Sequence, residues 1–136
     1  MGSESVLRVP ITSMRDIETA RNALRRKIAE QDCWPPSFYA RAAAASMAVS
    51  ELILSAGGNG EIDLSVVEKG DLSGIRLVCR ISWLGGGIRA LREVQRKRLR
   101  ETEQQLRRVT DDVEYNDEAN CSRLIVGIWP TQGEVD

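Results

Sequence analysis

The sequence predicts an α+β fold: a two-layer α/β sandwich with helices packed on one face of a mixed, mostly antiparallel sheet, in the order β-α-α-β-β-α-β-β. Three observations carry this. Short segments with alternating apolar and polar residues occur as pairs joined by brief turns, the pattern of hairpins. Two segments with apolar residues three and four apart precede the first hairpin. A third helical segment, strongly charged, separates the two hairpins. Helices grouped against such a sheet make two layers around one core.

The elements follow in order. "SVLRVPI" (5–11) alternates and reads as a short strand, with Pro10 suited to an edge or a strand end. Ser13 and Asp16 then form a capping-box pattern. Ile17, Ala20, Leu24 and Ile28 recur at helical spacing behind it. "CWPPS" ends that helix, and Pro35–Pro36 can open the next. "FYARAAAASMAVSELILSA" (38–56) is apolar nearly all round, as a central core helix is. "GGNG" (57–60) ends it.

"EIDLSVVE" (61–68) places Ile62, Leu64 and Val66 on one face. "IRLVCRISW" (75–83) sets Ile75, Leu77, Cys79, Ile81 and Trp83 against Arg76, Val78, Arg80 and Ser82. With the turn "KGDLSG" between them, these read as an antiparallel hairpin. From Ile88 to about Thr110 the pattern is helical. "DDVEY" (111–115) and "CSRLIVGIW" (121–129) form a second hairpin across "NDEAN".

The 136 residues, 42% of them hydrophobic, suit a single domain over 1–129, with a loose tail over 130–136. No apolar run is long enough to span a bilayer, and the start lacks a secretory signal pattern. The chain has no histidine, which removes the commonest general base and the commonest zinc ligand. Cys33, Cys79 and Cys121 are odd in number and far apart, which favours reduced thiols in a cytoplasmic protein. A net charge of −1 gives no global pull toward nucleic acid or membrane.

Three features carry chemistry. Glu51 stands among apolar neighbours. It is either a helix-edge residue facing solvent, the preferred reading, or a carboxylate at the mouth of a pocket, as a general base would be. The run "GGG" (85–87) makes a turn, or lets backbone approach a ligand closely. Residues 88–110 carry eight Lys/Arg and three Glu, an excess of +5. That run fits a solvated helix or an acidic protein partner better than a phosphate backbone, since its arginines lie on all sides with no aromatic residue among them. Leu99, Leu106 and Val113 recur every seven residues, with Thr102 and Val109 between, and read as the inner stripe of a domain helix rather than a coiled coil.

The order of elements and the segment "ARAAAASMAVSEL" before a glycine turn resemble the GHKL (Bergerat-fold) ATPase superfamily. Within it the likeness is to small anti-sigma-factor and stressosome switch serine kinases. It covers residues 6 to 129. The resemblance implies Glu51 as the relic of the general base, with Ser55 where the family has a magnesium-ligating Asn. Asn59, in the turn that follows, is not assumed to compensate. Aligning Gly85 and Gly87 with the adenine-binding motif leaves Trp83 at its aspartate, and an indole N–H cannot accept the adenine hydrogen bond. The glycine-rich lid is replaced by "VQRKRLRETEQQL" (94–106).

The expectation is therefore a kept fold with a degenerate ATP site, using neither ATP nor magnesium and working by partner switching in bacterial signalling. The implied partner is a STAS-domain protein, a sigma factor or a second copy of the chain. Arg92, Arg96, Lys97 and Arg100 are the candidate partner contacts. The alternatives are an active, divergent ATP-dependent protein serine kinase with Glu51 as base and Ser55 or Asn59 as a displaced magnesium ligand, and a nucleic-acid-binding module using the basic helix.

Overall fold

The computed structural model describes residues 6–30, 34–55, 59–82, 93–118 and 121–130. The elements are β1 (Leu7–Ile11), α1 (Met14–Ala29), α2 (Pro36–Ser55), β2 (Gly60–Lys69), β3 (Leu72–Ser82), α3 (Glu93–Val109), β4 (Asp112–Glu118) and β5 (Cys121–Ile128). They form one five-stranded sheet in the order β1-β2-β3-β5-β4, with the three helices as a second layer. This is the expected sandwich, and every described strand pairing is antiparallel.

Local chemistry explains the boundaries. At the start of α1, the Asp16 carboxylate accepts from the backbone N–H groups of Thr12 (2.8 Å) and Ser13 (3.0 Å). Two donors at the helix start are thereby satisfied by one side chain. Pro36 opens α2, where its missing N–H is harmless. Gly70 turns the β2–β3 hairpin at φ +62°, a left-handed conformation that favours glycine.

The second hairpin is tighter than "NDEAN" suggested. Pairing runs on through Asn116↔Arg123, Asp117↔Ser122 and Glu118↔Cys121, so only residues 119–120 separate the strands. Cross-strand pairing thus overrides the polar, turn-like composition of 116–118.

The core lies between the layers. Val9, Ile11, Ile62, Leu64, Ile75, Leu77, Cys79, Ile81, Leu124, Val126 and Ile128 point inward from the sheet. Phe38, Ala42, Ala45, Val49, Leu52 and Ile53 meet them from α2. Small residues let α2 approach closely. A Cβ on Gly60 would lie 2.5 Å from the Arg80 carbonyl oxygen and 2.8 Å from Ile53 Cγ2, so the start of β2 accepts only glycine without a shift. Leu99, Thr102 and Leu106 are the buried stripe of α3, as its sequence pattern indicated. No described helix is long and apolar enough to cross a membrane.

Candidate functional site

Glu51 and Ser55 sit one turn apart near the end of α2, and both are exposed. Their neighbours Leu52 and Ile53 take the core positions. Glu51 is thus a helix-edge residue open to solvent, and it also lines a small cleft. Ser55 Oγ donates to the Leu52 carbonyl oxygen (2.9 Å), a bond back onto its own helix. Asn59 uses its backbone carbonyl to accept from the Ser82 N–H (2.8 Å), which secures the end of β3.

Across from Glu51 stands α3. The two helices enclose a cleft of about 160 Å³, lined by Ala48, Glu51, Arg98, Glu101, Thr102 and Gln105. The cleft is narrow because Leu99, Thr102 and Leu106 bring α3 down onto the core. The other side of α3 is open. Lys97, Arg100 and Arg108 are exposed, and no described acid pairs with them. Arg107 is tied to Glu103 (3.3 Å) and also donates to the Val113 carbonyl oxygen. Trp83, Gly85, Gly87 and Arg92 lie outside the described residues, as does the side chain of Arg96. Of the expected partner contacts, the structure describes Lys97 and Arg100 and gives both to solvent.

Cys79 and Cys121 are free thiols on opposite faces of the sheet. Burial, and then the neighbouring Cys121, push the Cys79 thiol far above its ordinary range, so it is an inert core group. Cys33 lies outside the described residues. Among the described residues no group of three or more Cys, Asp or Glu could hold a metal ion.

Among the described residues no helix covers the opposite face of the sheet, which holds charges of its own. Asp63, with a side chain only 9% exposed, accepts from Arg8 Nε (2.9 Å) and Arg80 Nη1 (2.6 Å). Glu61 lies 3.5 Å from Arg8 and 3.4 Å from Arg80. Burial alone would raise the Asp63 carboxyl, but the Arg8 hydrogen bond and the two arginine charges hold it below the usual carboxylate value. A carboxylate whose folded pKa is depressed stabilises the fold above its unfolded pKa, and the effect is lost as pH falls through the folded value. Asp63→Ala should therefore lower stability near pH 7 by about 1–3 kcal/mol. The gap to the parent should narrow below the ordinary value of 3.8, as urea titrations across pH would show.

The same face has a groove of about 670 Å³ lined by Val67, Arg76, Asp112, Glu114, Ile125 and Trp129. Trp129 donates from its ring to Asp112 (3.2 Å) and from its backbone to Asp111 (2.7 Å). Its indole covers Gly74, where a Cβ would meet the ring at 2.6 Å. Alternation in β3 and β5 was the signal that could have located this face. The partner acids, Glu61 and Asp63, come from β2, which lies between β1 and β3.

No protein-family model matches the chain, and no curated protein matches it significantly.

Proposed function

We propose that this domain is a cytoplasmic regulatory module that acts by binding another protein, on the plan of an anti-sigma-factor serine kinase whose ATP site has degenerated. The observation that carries this reading is the seating of α3 on α2. Among the described residues it leaves beside Glu51 a cleft of about 160 Å³. Small-molecule pockets run to roughly 300–1,000 Å³. Ser55, at the position of the family's metal ligand, bonds back to its own helix. The outward side of the same helix offers Lys97, Arg100 and Arg108 to solvent.

A partner of opposite charge fits that surface, and charge would mainly speed association and select among partners. By the resemblance, the partner is a STAS-domain protein or a sigma factor. The test has two arms. Calorimetry with ATP and magnesium should give no binding heat. Clear binding that Glu51→Ala spares while losing phosphoryl transfer would establish the kinase reading instead. Pairwise binding to STAS-domain proteins and sigma factors of the same genome should yield one salt-sensitive complex. Reversing Arg96, Lys97 and Arg100 to Glu should weaken it roughly tenfold or more. A complex indifferent to salt and to those changes would sink the proposal. A steeply salt-dependent oligonucleotide shift would instead favour the nucleic-acid reading.

A further inference from the structure

The groove on the face of the sheet opposite the helices has one unpaired charge of each sign on its two banks. Arg76 stands on β3 and Glu114 on β4, with β5 between them. Two strand spacings separate those backbones, about 10 Å. Both residues are exposed, and among the described residues neither has an ion-pair or hydrogen-bond partner. Other charges around the groove are already engaged. Asp111 holds Arg41 and the Trp129 backbone N–H, Asp112 accepts from the Trp129 ring, and Arg107 is tied to Glu103. Glu68 and Lys69 are chain neighbours of opposite sign at the end of β2.

Between the banks the floor is low and apolar. Gly127 lies in register between Arg76 and Asp112 and carries no side chain. A Cβ there would come within 3.1 Å of Asp112 Oδ2, so the acid leans over β5 only because residue 127 is glycine. Ile125 is half-buried beside it, and the half-buried indole of Trp129 stands over Gly74 as a wall. The space of about 670 Å³ falls in the range of small-molecule sites, roughly 300–1,000 Å³. We propose that this groove binds a small zwitterion, a free α-amino acid with an apolar side chain. The ligand carboxylate meets the Arg76 guanidinium, whose planar fork can grip both oxygens. Its ammonium meets Glu114, with Asp112 alongside, and its side chain lies on Ile125 against Trp129.

The mixed charge of the groove is what selects this ligand. A simple anion drawn to Arg76 would face the acids of β4, and a simple cation drawn to those acids would face Arg76. A ligand carrying both charges satisfies both banks. A second copy of the chain fits poorly, because two copies of one concave face do not fill each other. The groove lies on the opposite face from α3, so the inference does not depend on the protein-binding reading.

The test is an NMR titration of the full chain with L-leucine, beside isocaproate, which lacks the ammonium, and isoamylamine, which lacks the carboxylate. Leucine should shift the amides of Ile125 and Gly127 and the indole N–H of Trp129, with millimolar affinity. Each half-ligand should bind roughly tenfold more weakly. Arg76→Gln and Glu114→Gln, both at exposed positions, should each weaken leucine by a similar factor. Lys97→Ala with Arg100→Ala should leave it unchanged. No shifts up to the solubility limit of leucine would overturn the proposal. Equal binding of either half-ligand would do the same, since one bank would then suffice. Leucine shifts confined to other elements, or indifferent to both glutamine variants, would also overturn it. None of these failures would touch the α3 reading.

Discussion

Replacing Phe38 by alanine is expected to lower folding stability by about 3–5 kcal/mol, the range for truncating a buried aromatic. Phe38 is fully buried in the first turn of α2. Its ring lies 4.7 Å from that of Trp34, and the Arg41 guanidinium carbon sits 5.8 Å from its centroid. Trp34 in turn donates to the Ser73 carbonyl oxygen at 3.2 Å. One ring therefore supports the entry to α2, its register on the sheet and the start of β3. Small domains hold only about 5–15 kcal/mol in all, so the variant would lie near the unfolding threshold. Phe38→Leu keeps most of the volume and should lose less, about 1–2 kcal/mol. Urea midpoints at unchanged slope would check both. A loss below about 1 kcal/mol for the alanine variant would mean that α2 does not seat on the sheet as described.

The fold was legible because its signals are local. Ser13 and Asp16 are three residues apart and meet where their spacing places them. The alternation in 75–81 assigns each side chain to a face without knowledge of its partners. Element ends were less legible. Asn116–Glu118 are polar and turn-like, yet β5 recruits them as strand.

The candidate site was legible only in part. Glu51 was located correctly as a helix residue, and its exposure follows from Leu52 and Ile53 taking the inward positions. The size of the cleft beside it was not legible, because that depends on how deeply Leu99 and Leu106 sink. The Asp63 cluster was legible only in half. The expected hairpin brings Asp63 and Arg80 onto neighbouring strands, whereas Arg8 joins them only because β1 pairs with β2. Trp129 read as the last residue of a strand, whereas it lies just past β5 and folds over Gly74.

Arg41 is the clearest long-range feature, and its replacement by alanine should lower stability by about 2–3 kcal/mol. Hydrogen bonds to a charged donor contribute about 1.5–3 kcal/mol each, but such bonds are not additive within one network. From the second turn of α2, Arg41 Nη1 donates to the Val109 carbonyl oxygen (3.3 Å) and lies 3.7 Å from Asp111. Its Nη2 donates to the Trp129 carbonyl oxygen. The last carbonyls of a helix lack partners within it, and a cation there also meets the negative end of the helix dipole. One guanidinium thus closes α3, fixes the α3–β4 junction and holds the end of β5.

Lysine cannot form that fork, so Arg41→Lys should recover less than half of the loss. Hydrogen exchange separates this effect from that of Phe38→Ala. Phe38→Ala should raise exchange across the whole sheet, because it lowers global stability. Arg41→Ala should also open Thr110 and Asp111 locally, beyond the global change. Trp129 links this junction to the far face of the sheet. Its carbonyl is held by Arg41, while its indole covers Gly74 beside the groove. If that link operates, Arg41→Ala should loosen the groove as well as the end of α3. Fast exchange confined to α3 would show that the end of α3 and the groove on the far face are mechanically independent.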